Sequence, residues 1–258
     1  MQILIYFLVA IIATTLGSMT GMGGGVIIKP VLDFLGDYNV GSINILSSIT
    51  VFSMALVSTV QQLKSKPSFD KKSAAILGIG AVLGGILGNT LLNYIIVILP
   101  AENHVTTIQN AVLALLIIIV LAYMKNKDRI PSKNFSGKIS SIILGLVLGL
   151  ISTFLGIGGG PVNVALLVYI MGNDTKTAVT NSLIIILFSQ ASRLAVVTVS
   201  TGFSSYDLSM LPYMVIGAIS GGLIGSVINK KMKEQTVDKS FNGLQIFVFL
   251  ICLYNIFT

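Results

Sequence analysis

Long apolar runs separated by short polar stretches fill the chain. The runs cover residues 3–35, 41–63, 73–99, 105–124, 139–171, 176–200, 208–229 and 241–257. A bilayer core about 30 Å thick is crossed by roughly 20 apolar residues of helix, so runs of this length predict membrane spans rather than core helices of a soluble domain. The N-terminal run lacks a positively charged leader, and its pattern recurs mid-chain, so it reads as a retained segment rather than a signal peptide.

Two of the runs are broken by glycine. Gly21-Met22-Gly23-Gly24-Gly25 interrupts the first, and Gly156-Ile157-Gly158-Gly159-Gly160-Pro161 interrupts the fifth. With these clusters superposed, Ser47 falls on Ser182. After a shift of two, Ser68-Phe69-Asp70 falls on Ser205-Tyr206-Asp207. At the same shift Gly80, Gly84, Gly85 and Gly88 fall on Gly217, Gly221, Gly222 and Gly225. This order of matches predicts a duplication: repeat 1 over 1–124, a linker over 125–138 and repeat 2 over 139–258. The expected fold is an all-α integral membrane protein. Each repeat is a glycine-broken re-entrant or hairpin helix pair followed by three transmembrane helices.

Composition and charge sharpen this picture. The 258 residues are 54% hydrophobic and 10% charged, far below the quarter or so of charged residues that a water-facing surface carries. The net charge of +7 is concentrated in loops 64–72, 125–138 and 230–239, the distribution of cytoplasmic loops rather than of a nucleic-acid surface. Loops 36–41, 99–105, 172–177 and 201–208 are weakly charged. With the basic loops on one side, 3–35 and 139–171 must each begin and end on one side, and the two halves become inverted repeats. Eight plain spans with parallel repeats are the alternative. That arrangement puts the lysines of loop 64–72 opposite loop 125–138. Cys252 and His104 are single residues of their kinds, which excludes a disulfide framework or a cysteine metal site.

The glycine clusters are the first candidates for chemistry. Glycine weakens a helix by about 1 kcal/mol relative to alanine and lets backbone amides approach a ligand. The short helix after each break would present unpaired amides and the positive end of its dipole near mid-membrane, an anion-binding arrangement. Pro161 suits the first position of such a helix. Gly21, Gly23, Gly24, Gly25, Gly156, Gly158, Gly159 and Gly160 are candidates on this ground, with close helix packing as their other reading. Packing is the expected role of the Gly80–Gly88 and Gly217–Gly225 rows. Lys29 and Arg193 are intramembrane cations that could hold an anion, although Lys29 could instead pair with Asp33 at i+4. Their aligned positions are Val164 and Ser58. Asn44, Ser47, Ser48 and Thr50 open one span, and Thr180, Asn181 and Ser182 open its counterpart. With Asn163, Ser189 and Gln190 they could donate hydrogen bonds to an oxyanion or simply join helices. Ser47, Asn163, Asn181, Ser182 and Gln190 join the candidate binding set.

Gly21-Met-Gly-Gly-Gly-Val-Ile-Ile-Lys-Pro30 and Gly156-Ile-Gly-Gly-Gly-Pro161, heading the two halves, resemble the sulfite exporter TauE/SafE family over essentially the full chain. The resemblance implies a secondary transporter of the plasma membrane that moves sulfite, thiosulfate or organosulfonates by alternating access. A passive anion channel or another small-anion permease is the alternative. The expected partners are a small anion, a coupling proton or ion and membrane lipid. No nucleic acid, cofactor or metal is expected. An enzyme is not expected either, because no cluster of His, Asp or Glu lies within the spans.

Overall fold

The computed structural model describes residues 2–65, 71–99, 102–127, 129–135 and 137–257. The elements are α1 (Gln2–Thr20), α2 (Gly25–Leu35), α3 (Val40–Ser65), α4 (Lys71–Ile98), α5 (Glu102–Lys125), α6 (Lys138–Phe154), α7 (Pro161–Met171), α8 (Thr175–Val199), α9 (Leu211–Lys231) and α10 (Glu234–Phe257). No strand occurs among the described residues. The order is a broken pair and three long helices, twice over. Seven helices, α1, α3, α4, α5, α8, α9 and α10, are long and apolar enough to cross a membrane. Ile79, Leu83 and Leu87 of α4, Leu115, Ile118 and Ile119 of α5, and Phe247 and Leu250 of α10 stand exposed. Apolar surface of this extent is stable only against lipid.

Lipid removes the hydrophobic drive for helix association, so close packing at small residues must hold the bundle. The glycine rows do this. A Cβ at Gly80, Gly84 or Gly88 would strike the backbone of α6 at Ile142, Leu146 or Leu150. A Cβ at Gly217, Gly221 or Gly225 would strike the backbone of α1 near Phe7, Ile11 or Thr15. The fourth helix of each half thus packs on the first helix of the other, and the contact positions keep the register that superposes Gly21 on Gly156. The match of Ser68-Phe69-Asp70 to Ser205-Tyr206-Asp207, and most of loop 64–72 with it, lies outside the described residues.

Both broken pairs fold back on themselves. Tyr6 near the start of α1 donates to Asp37, just past α2, at 2.7 Å. The second pair closes through the linker: Lys133 N donates to Tyr169 O at 2.9 Å and Phe135 N to Ile170 O at 2.8 Å. α2 and α7 have 11 residues each, about 16 Å of helix at 1.5 Å per residue, so each glycine turn lies roughly half a bilayer from the mouth of its hairpin.

The two mouths belong to different ends of the bundle. Beside the first, Tyr38 shares a hydroxyl bond with Ser209 at 2.8 Å and Asp207 N donates to Ser42 Oγ at 3.0 Å. Beside the second, Lys127 pairs with Asp238 at 2.5 Å and Thr175 N donates to Glu234 at 2.8 Å. α9, which has 21 residues, runs from the first group to the second. The second end is the basic one. Gln62 Nε2, near the end of α3, donates to Asn229 there at 3.1 Å.

Two boundaries differ from the expectation. The stretch 230–239 is not a loop, because α9 runs through Lys231 and α10 begins at Glu234, and α5 begins at Glu102, inside the expected loop 99–105. Lysine, glutamate and glutamine are good helix formers, so charge marks the water boundary here without ending the helices.

Candidate functional site

Each glycine turn demands glycine. Gly21 and Gly23 have φ of 76°, and Gly156, Gly158 and Gly159 have φ of 67°, 65° and 131°, values that L side chains rarely adopt. The turns leave α2 starting at Gly25 and α7 starting at Pro161 in the first helical position. The amides of Gly24, Gly25, Gly159 and Gly160 donate no hydrogen bond among the described residues.

The turns touch each other at the centre of the bundle. A Cβ at Gly25 would overlap the Ile157 carbonyl, and one at Gly23 would lie 3.2 Å from the Gly158 oxygen. All the residues of both turns are buried. No residue of either turn lines the cavities of about 560, 320 and 20 Å³, and the two helix N-termini meet with backbone against backbone.

A single face of α8 runs past both turns. Val179 packs on Gly21, and Ser182 Oγ donates to Gly21 O at 2.6 Å. Ile186 fills the space between Gly23 and Gly159, and the Gln190 amide carbon lies 3.4 Å from where a Cβ at Gly158 would sit. Arg193 follows, with Nη1 at 3.5 Å from Thr153 O. Positions spaced by three and four share one helix face. α3 repeats the pattern, with Asn44 against Gly156 and Val51 against Gly158.

Polar groups gather at the second turn. Arg193 is 2% exposed and has no acidic partner among the described residues. Its Nε is unbonded, as are both amide atoms of Asn44, both of Gln190, and Ser47 Oγ. Asn163 Nδ2 is unbonded as well and lies 3.5 Å from where a Cβ at Gly159 would sit. Asn181 Oδ1 is a further unbonded acceptor, one residue from Ser182. Asn44 and Arg193 line a cavity of about 20 Å³ with Asn89 and Tyr206. Unsatisfied buried polar atoms are costly and mark places where a missing partner belongs. Lys29 differs. It is paired with Asp33 at 2.8 Å, both being buried, while its Cδ lies 3.3 Å from where a Cβ at Gly156 would sit.

Sequence reading had treated Asn44 as one of several polar residues opening α3 and Asp33 only as a neutralising neighbour. Asn44 is the one that meets the second turn. Its signal was its match to Val179, a polar residue facing an apolar one across the repeat.

Broken helices with buried polar groups inside a lipid-facing bundle define a multi-pass membrane transporter. Residues 6–251 match the family described as sulfite exporter TauE/SafE, and the chain belongs to that family. The chain is 27% identical to the probable membrane transporter protein YunE of Bacillus subtilis, over 92% of each protein. It is 28% identical to the probable membrane transporter protein MJ0441 of Methanocaldococcus jannaschii, over 88% of this chain and 86% of that one. The probable membrane transporter protein MamO of Magnetospirillum gryphiswaldense is 25% identical over 85% of this chain and 40% of its own length. No solved structure matches the chain. A multi-pass transporter of the cell membrane, and not an enzyme, is what the family defines.

Proposed function

We propose that this transporter is a secondary carrier of small anions, with sulfur oxyanions such as sulfite, thiosulfate or an organosulfonate as the substrate class. The observation that carries the reading is Arg193: a buried guanidinium without a carboxylate, beside Asn44 and Gln190 with unbonded amides and the second glycine turn. A charge buried in this way is strongly unfavourable unless a counter-charge joins it, and a planar fork of N–H donors suits an oxyanion. The family description adds the sulfur chemistry. The candidate binding set is Arg193, Gln190, Asn163 and Ser47 with Gly156, Gly158, Gly159, Gly160 and Pro161. Gly21, Gly23, Gly24, Gly25, Asn181, Ser182 and Lys29 face that set across the contact between the turns, and Asn44 joins the set at the second turn.

The carrier works by alternating access. The halves are inverted repeats, a reading supported by hairpin mouths at opposite ends of the bundle. The basic end is cytoplasmic, on the bias of Lys and Arg. With the turns touching, an anion passes only when they part, so each side is opened in turn. Purified protein in liposomes should drive saturable uptake of sulfite, thiosulfate or methanesulfonate, accelerated by the same anion on the far side, and should move no potassium. Flux no greater than in empty liposomes rejects the proposal. Flux that neither saturates nor responds to trans anion makes the protein a channel instead.

A further inference from the structure

We infer that Asp33 is the proton-binding group that couples this transporter to a proton gradient, an inference that rests on the anion-carrier reading above. Asp33 stands between the mouth of the first hairpin and the site. The residue lines a cavity of about 560 Å³ at that mouth, together with Tyr38, Thr106 and Tyr254, and its side chain is 3% exposed. Its Oδ2 accepts from Lys29 at 2.8 Å and from Asn110 Nδ2 at 3.2 Å. Its Oδ1 is buried with no partner, an open seat for a proton. Lys29 lies on the inner side, its stem against Gly156 beside Asn44, and Asn44 shares the small cavity with Arg193.

The other titratable groups around Asp33 are few. Cys252 and Tyr254 come from α10, Tyr38 and Asp37 from the loop after α2, and Tyr6 from α1. Tyr6 is already engaged by Asp37. α5 contributes Asn110, with His104 exposed farther toward its start, and α3 contributes no acid or base near this mouth. Lys29 is therefore the one cation in contact with the carboxylate among the described residues.

Charge balance then dictates the coupling. At rest, Lys29 and Asp33 cancel and Arg193 is uncompensated. A proton from water in the cavity binds Asp33 Oδ1, the ion pair breaks, and Lys29 keeps its charge. Two cations now flank the second glycine turn, matching one dianion. Burying net charge in a low-dielectric interior is strongly disfavoured, so dianion and proton stabilise each other's binding and cross together, one proton with each dianion.

The test uses thiosulfate, which does not titrate near neutral pH, in proteoliposomes loaded with a pH-sensitive dye. A thiosulfate gradient should acidify the interior in step with uptake. Asp33→Asn should abolish acidification and the stimulation of uptake by an imposed proton gradient, while thiosulfate exchange persists within about threefold. Because Asp33→Asn strands Lys29, Lys29→Gln/Asp33→Asn is run beside it. This pair removes both charges, and it too should lose proton movement. Thiosulfate flux in the wild type without acidification overturns this inference and leaves the carrier reading intact. Acidification retained by either variant at the wild-type ratio overturns it as well. Absence of any flux of sulfite, thiosulfate or methanesulfonate overturns both.

Discussion

The two glycine turns have the same backbone design but different surroundings. At the first turn the neighbours are Val179 and Ile186, with Ser182 bonded to Gly21 O. At the second, Asn44 stands where Val179 stands at the first. Gln190 reaches the second turn and Arg193 approaches Thr153 O, just before it, at 3.5 Å, while the residue aligned with Arg193, Ser58, is satisfied by Ser18 at 2.8 Å and Gly222 O at 3.3 Å. The first turn is thus packed by apolar side chains and bonded by Ser182, and the second is bordered by the unbonded amides of Asn44 and Gln190, with Arg193 close by and no acidic partner for it among the described residues. The membrane helices carry two glycine breaks of like backbone geometry. The side chains around them put the polar chemistry at one of the two.

The largest expected effect breaks both turns together. Gly25→Ala pushes a Cβ into the Ile157 carbonyl, and backbone cannot yield as a flexible side chain does, so folded protein recovered in detergent should fall to background. Gly36→Ala is its control. Gly36 has a positive φ, of 68°, which Gly25 lacks, but open space around it, so the cost is the backbone strain of about 1–2 kcal/mol and the protein should still be recovered.

Next is the cation. Arg193→Gln should lower anion uptake at least about tenfold, the loss of roughly 1.4 kcal/mol or more of binding, with an unchanged gel-filtration profile. Ser58→Ala, the matching change in the other half, should leave uptake within about twofold. Equal losses from the two variants would erase the functional distinction between the turns.

Asn44→Ala should reduce apparent anion affinity by several-fold, in line with a neutral hydrogen bond of about 1 kcal/mol. Competition by unlabelled anion measures it. The smallest effect is on stability. Ser182→Ala removes the bond to Gly21 O, and intramembrane hydrogen bonds average about 0.6 kcal/mol. A small loss of stability in a detergent unfolding titration, with uptake retained, is expected. A drop in uptake as large as that of Arg193→Gln would move the binding site to the first turn.

The spans, the two breaks and the packing rows were legible in the chain because each follows from local composition. Apolar length against bilayer thickness marks α3, α4, α5, α8, α9 and α10, and clustered glycine marks the turns at 21–25 and 156–160. Gly80 and Gly217 kept helical spacing within apolar runs and proved to be contact points. Lys29 was legible as a cation that either holds an anion or pairs with Asp33 one turn on, and Asn44 and Ser182 only as polar residues in membrane. Whether Asn44 or Ser182 bonds a carbonyl or nothing depends on which helix faces it, and those facing helices come from the other half of the chain.

The sequence by itself determined an all-helical membrane protein with two helix pairs interrupted by glycine, because hydrophobic length and backbone freedom are properties of a segment alone. Only the tertiary structure decided that Ser182 bonds the first turn, that Lys29 takes Asp33 as its partner, and that Arg193 has no acidic partner among the described residues. Whether a buried polar group is satisfied is a property of pairs. Ser182 and Gly21 lie 161 positions apart, and Asn44 meets Gly156 from the other half of the chain, separations at which periodicity along the chain carries no information.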